Sequence, residues 1–238
     1  MLNIIAAPGE VFDEVKSAAP STANWLVPAL LFIAVSWLGT WLVFSQEALR
    51  RQISDYSEKA IEKQIAQAHM PQAQADQARQ AAAKMAAIFS TVGPMAGVVV
   101  MALVTPFWGG LILWLVGAKV FKGAFPYLKA VEVVGLANTI EVLGAIVKTL
   151  LILALGNVFA SPSLALMVKD FDPQNPTHSL FALANVMSFW VLAVRAIGLA
   201  RLAGVSFGKA ALWVCGAWVA YNGLFVGLGF AMQAIFHR

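Results

Sequence analysis

Residues Phe125 to Gly156, FPYLKAVEVVGLANTIEVLGAIVKTLLILALG, constrain this chain more than any other stretch. They are about 30 mostly apolar residues that nonetheless hold Glu132, Asn138, Glu141 and Lys148. A helix rises about 1.5 Å per residue, so roughly 20 residues cross the hydrocarbon core of a bilayer. The stretch therefore predicts a transmembrane helix with a polar centre. Steps of about 100 degrees per residue put Asn138, Glu141, Ala145 and Lys148 on one narrow face, with Glu132 off that face near the entry end. Ionisable groups are costly at membrane depth, so this stripe is expected to point into a helix bundle or a wet cavity and not at lipid.

Composition settles the class. The chain has 238 residues, 60% of them hydrophobic and 12% charged, with a mean hydropathy of +0.76. Soluble domains carry about 25% charged residues, so this is an all-α polytopic membrane protein. The net charge of +4 is small and scattered, and no basic patch argues for nucleic acid. Cys215 is the single cysteine and lies in an apolar run, which excludes an intramolecular disulfide and predicts a small buried hydrophobe. G-x-S-x-G, H-E-x-x-H, Walker and C-x-x-C motifs are all missing, and His69, His178 and His237 fall in extramembrane or terminal positions. The reading is non-enzymatic, with no cofactor and no metal.

In chain order, residues 1–24 form an N-terminal interfacial segment without a visible signal peptide. Pro8 to Ala18 suits a short helix lying flat at the membrane surface: Pro stands at its start, Val11, Phe12 and Val15 share a face, and Glu10, Asp13 and Glu14 favour the positive end of the helix dipole. These acidic residues are weak candidates for a cation. Residues 25–44 are the first span, with Trp25, Trp37 and Trp41 as interfacial anchors. Residues 45–87 turn abruptly to Ala, Gln, Lys, Arg and Glu and predict an extramembrane helical hairpin broken at Met70-Pro71. Its arms are expected to run on into the first and second spans. Glu47 with Arg51 and Asp55 with Lys59 form i,i+4 pairs, beside an apolar seam of Leu49, Ile53, Tyr56 and Ala60. The hairpin is either a solvated spacer or a docking arm for a partner.

Residues 88–238 hold the remaining four spans. The second, Ile88 to Val116, is expected to kink at Gly93-Pro94 and at Pro106, and Gly93 with Gly97 forms a G-x-x-x-G that reads as close packing. Gly223 and Gly227 repeat the motif in the fifth span, Gly208 to Phe236. The fourth span, Leu180 to Leu202, carries Arg195 about 10 Å from its exit end, between the depths of Glu132 and Glu141 on the antiparallel third span. Either carboxylate can be its partner. The grouping Glu132, Asn138, Glu141, Lys148 and Arg195 is then either an ion pair that fixes helix docking, or part of a proton or ion path or a headgroup site. Lys148 lies near the opposite interface and can snorkel. Short segments on the N-terminal side hold Lys16, Lys119, Lys122, Lys129, Arg201 and Lys209, which places that side in the cytoplasm and the hairpin outward.

Three stretches carry a family resemblance: PGEVF ahead of NWLVPALLF, GAKVFKGAFPYLKAVEVVGLANTIEVLG, and FWVLAVRAIGLARLAGVSFGKAALW. On these the chain resembles the Yip family of Ypt/Rab-interacting membrane proteins, and its bacterial branch in particular. The resemblance implies five spans, a cytoplasmic N-terminus and a bacterial inner-membrane location. The D-L-Y-G-P motif of the eukaryotic branch is missing, so Rab binding is not implied. A proline often present midway through the third span is replaced here by Asn138-Thr139-Ile140. The expected function is a scaffold or accessory factor for membrane organisation or a larger membrane complex. Its partners would be the lipid bilayer and a membrane protein or a second copy of the chain. The alternative is a small transporter or lipid-handling protein built on Glu132, Glu141 and Arg195.

Overall fold

The computed structural model describes residues 3–89 and 93–236. The helices are α1 (Asn3–Ala6), α2 (Pro8–Ser17), α3 (Ala23–Ser45), α4 (Glu47–Gln67), α5 (Gln72–Phe89), α6 (Gly93–Leu115), α7 (Tyr127–Ala137), α8 (Thr139–Leu155), α9 (Pro176–Leu183), α10 (Val186–Ala203) and α11 (Phe207–Phe236). A π-helical turn, Val116–Val120, ends α6, and a 3-10 turn covers Leu164–Met167. Among the described residues, five segments are long and apolar enough to cross a membrane: Ala23–Ser45, Met95–Val120, Tyr127–Leu155, Val186–Ala203 and Phe207–Leu228.

The third span is made of α7 and α8. Asn138 separates them with a tightened turn in which its carbonyl accepts from the Glu141 N–H at 3.0 Å. A break thus occurs here without the proline. All residues from Lys129 to Ala137 are buried, so past its first two residues α7 is covered on every side although it carries Lys129 and Glu132. α3, α6, α10 and α2 pack around it. Phe12 and Ile4 are fully buried, and Phe12 lies with Val133 against Gly198 of α10. The N-terminal helix therefore covers its apolar face with the protein's own core.

Several expected boundaries shift. The hairpin's first arm is separate from the first span, because Gln46 takes an extended conformation between α3 and α4. Its tip does turn at Ala68–Pro71, with His69 in the left-handed region at φ 47°. The fourth span begins at Val186 and not at Leu180: Asn185 caps α10 by accepting the Met187 N–H at 2.9 Å, and α9 stands apart as an extramembrane helix. α6 runs unbroken through the buried Pro106, and its irregularity falls at the π turn instead. Gly93 and Pro94 open α6, so this proline stands in the first turn, while residues 90–92 before it, and His237 and Arg238, lie outside the described residues.

Close packing uses glycines other than Gly97, Gly223 and Gly227 of the two G-x-x-x-G motifs. A methyl group on Gly110 would sit 3.0 Å from the Val131 backbone, and one on Gly135 would collide with the Trp25 backbone. Gly97, Gly223 and Gly227 face open space. Cys215 is likewise exposed on α11, where a small buried hydrophobe was expected. Gly135→Ala should therefore lower stability in detergent by about 1–3 kcal/mol by overpacking, while Gly97→Ala stays within about 0.5 kcal/mol of the parent. Thermal unfolding of both purified variants checks the contrast.

Candidate intramembrane polar site and extramembrane cap

The polar residues of the third and fourth spans resolve into two groups at different depths. On the N-terminal side, Lys129 and Glu132 stand one turn apart on α7, and their Nζ and Oε1 atoms are 3.1 Å apart. Both side chains are almost wholly buried, and Asn24 at the start of α3 donates its amide to the second Glu132 oxygen. Lys129 is thus not one of the solvated basic residues that report orientation. Its i,i+3 spacing from Glu132 was the available signal.

Deeper in, a terminal nitrogen of Arg195 donates to Asn138 Oδ1 at 2.9 Å. Among the described residues no carboxylate forms a direct ion pair with Arg195. Glu132 is engaged by Lys129, and Glu141 interacts with the Arg195 charge at longer range. The expected choice between Glu132 and Glu141 is replaced by an Asn138 hydrogen bond supported by the Glu141 charge. Asn138 is available because it sits at the α7–α8 turn, and α8 packs against α10 there. Arg195 Nε and Thr139 Oγ1 are buried without a hydrogen-bond partner among the described residues, and Lys129 Nζ and Glu132 Oε1 meet as an ion pair without hydrogen-bond geometry.

Past the turn, α8 faces a cavity of about 440 Å³ bounded by α3, α8, the start of α10 and Val98 of α6. Glu141 and Lys148 both line it, with Ala145 between them and the hydroxyls of Ser36, Thr40, Thr149 and Ser188 around them. The predicted stripe is therefore divided. Asn138 points to Arg195, while Glu141, Ala145 and Lys148 border open space. Of the weak acidic candidates, Asp13 forms an ion pair with Arg201 at 3.1 Å beside Lys16, which donates to the Arg201 carbonyl at 2.9 Å. Glu10 and Glu14 are exposed on α2.

Outside the membrane, the hairpin is clasped to the loop after α8. Gln52 of α4 donates to the Gly156 carbonyl at 2.6 Å and accepts the Val158 N–H at 3.3 Å. Tyr56 meets Phe159 edge-on, Phe159 meets Phe171, and Phe171 stacks on His178 of α9. His178 Nδ1 accepts the Asp172 N–H at 3.0 Å, so it is a structural member of this cap and not a loose loop residue. The two arms are joined by Arg79, which bonds Glu62 at 2.7 and 3.0 Å and Asp76 at 2.9 Å. The Arg79 guanidinium holds the Glu62 carboxyl below its ordinary range. The expected Glu47–Arg51 pair forms, whereas none is found between Asp55 and Lys59 among the described residues. This clasp between distant segments has no sequence periodicity to announce it.

Together these features define a multi-pass α-helical membrane protein with paired charges inside its bundle and a helical cap outside. The chain belongs to the Yip1 domain family, which it matches over residues 2–229. No curated protein and no solved structure matches it.

Replacing Glu132 by Gln strands the buried Lys129 charge and should cost about 3–5 kcal/mol, and adding Lys129→Gln should restore most of that loss. The combination of Glu132→Gln with Arg195→Gln should be additive within about 0.5 kcal/mol. A double-mutant cycle by thermal or denaturant unfolding in detergent decides between the two pairings.

The cap carries its own pH signature. Burial first, and then the Asp172 charge, push the Tyr56 phenol above its ordinary value of 10.0, against a smaller opposing bond from Gln174. The neutral phenol is the favoured form, so its contribution is complete below pH 10 and is lost as pH rises through the raised value. The phenolate absorbance difference between the parent and Tyr56→Phe should therefore titrate above the ordinary tyrosine midpoint.

Proposed function

We propose that this Yip1-domain protein is a non-enzymatic scaffold or accessory factor that holds a partner membrane protein through its capped hairpin. The observation that supports it is the Gln52–Gly156–Val158 clasp with the aromatic run from Tyr56 to His178. A solvated spacer needs no such anchoring, whereas a docking arm needs a fixed bearing so that its ordering entropy is not charged to the binding step. The described side chains of α5, residues 72–84, are mostly exposed, leaving a face for a partner. In this reading the protein sits in a bacterial cytoplasmic membrane with its N-terminus inside and the hairpin outside.

A second reading, a small transporter or lipid-handling protein, is favoured by one observation: Glu141, at the middle of the third span, borders a cavity and not packed side chains. Lipid movement in proteoliposomes that is unchanged by Glu141→Gln would contradict it.

Deletion of residues 46–85 from the detergent-solubilised protein should remove its co-purifying partners. Identical partner sets with and without the hairpin would sink the docking reading. In a Cys215→Ser background, His69→Cys at the hairpin tip should react with a membrane-impermeant maleimide on intact cells. Labelling only after lysis would reverse the proposed orientation.

A further inference from the structure

The charges inside the bundle do not balance. Lys129 is answered by Glu132, and Arg195 by Asn138 together with the Glu141 charge. Lys148, on the same span, forms no ion pair among the described residues, and its side chain is exposed along the cavity wall. Thr40 and Thr149 direct their hydroxyl protons to their own helix carbonyls, Ser36 at 2.8 Å and Ala145 at 2.9 Å. The Lys148 ammonium is therefore the cavity's one free cation among the described lining residues.

The shape of the cavity restricts what can answer it. Its α3 wall runs from Phe32, level with the middle of the membrane, to Phe44 at the hairpin-side end, about 18 Å along the helix. Spread over that length, the volume of about 440 Å³ makes the cavity an elongated slot lying along α3 and α8. The apolar lining comes from Phe32, Val98, Ile152 and Met187, interleaved with the hydroxyls of Ser36, Thr40, Thr149 and Ser188. Lys148 lies two turns from Glu141 toward the hairpin side, about 10 Å from the membrane centre, and its long stem carries the ammonium toward the headgroup boundary.

We propose that this cavity binds an anionic amphiphile, with its phosphate or carboxylate on Lys148 and an acyl chain lying between α3 and α8 toward Glu141. The site deepens the lipid-handling reading by naming its ligand class, and it also stands as a fixed structural lipid site if nothing is moved. The head group is anionic because Lys148 stands at the headgroup end of the cavity, while the other charged lining residue, Glu141, lies about 10 Å deeper. The source is either a membrane phospholipid with its second chain left in the bilayer, or a free single-chain amphiphile.

Native mass spectrometry of the delipidated protein in neutral detergent tests this, with phosphatidylglycerol, lysophosphatidic acid and phosphatidylcholine as probes. Binding of an anionic probe should exceed that of phosphatidylcholine by roughly tenfold, the worth of one charge-assisted contact. Lys148→Gln should bring the two to parity, Lys148→Arg should keep the preference, and Lys209→Gln should change nothing. Ala145→Phe, which fills the cavity, should reduce binding of every probe, with circular dichroism and unfolding temperature confirming that the fold is retained. Preference for phosphatidylglycerol points to a bilayer lipid, and preference for lysophosphatidic acid to a free amphiphile; both support the site. An anionic preference that survives Lys148→Gln, or binding untouched by Ala145→Phe in the folded protein, overturns it. Lys148-dependent binding combined with lipid movement indifferent to Glu141→Gln leaves the site standing and removes only the transport reading.

Discussion

Burial of α7 on every side is the constraint on which the rest of this structure depends. A helix that presents no face to lipid or water must have each polar group it carries answered inside the bundle. Lys129 answers Glu132 within the helix, and Asn24 reaches in from α3 to satisfy the second carboxylate oxygen. The close approach of α6 at Gly110, α3 at Gly135 and α10 at Gly198 follows, since only small residues let these backbones surround one helix. α2 closes the remaining side with Phe12 and Val15.

Beyond Asn138 the character of the bundle changes. α8 is only partly covered, and its polar face borders a cavity that runs toward the hairpin side. The same side carries the cap, in which α4 is fastened to the loop after α8 by Gln52 and by a line of aromatic rings. One half of the protein is a closed core and the other half is open, with an extramembrane cover. Binding surfaces on such a molecule belong to the open half, where side chains are free to meet a lipid or a partner, while the closed half supplies a rigid base.

Much of this was legible in the sequence, and the parts that were not have physical reasons. Hydropathy alone locates five spans, because apolar length is a property of each segment by itself. The hairpin turn and α2 follow from Pro71 and Pro8, which act locally. Glycine spacing misleads, because a G-x-x-x-G records what could pack, and Gly97 and Gly227 meet nothing while the isolated Gly135 and Gly198 are crowded. Arg195 was expected to meet a carboxylate because depth was the only available ruler, and depth does not show that Lys129 already occupies Glu132. The cap escapes sequence reading altogether, since Gln52 and Gly156 are far apart in the chain and neither lies in a periodic pattern.

The division of the third span into a closed and an open half is tested most directly by single cysteines in a Cys215→Ser background, reacted with a small water-soluble thiol reagent in delipidated, neutral detergent. Cysteine at Val134 on α7 should be inert because it is fully buried, and at Leu150 it should react slowly because that face of α8 is exposed away from the cavity lining. Cysteine at Ala145, inside the cavity, should react much faster than either. If Ala145 proves no more reactive than Val134 and Leu150, the third span is uniformly packed and the open half does not exist.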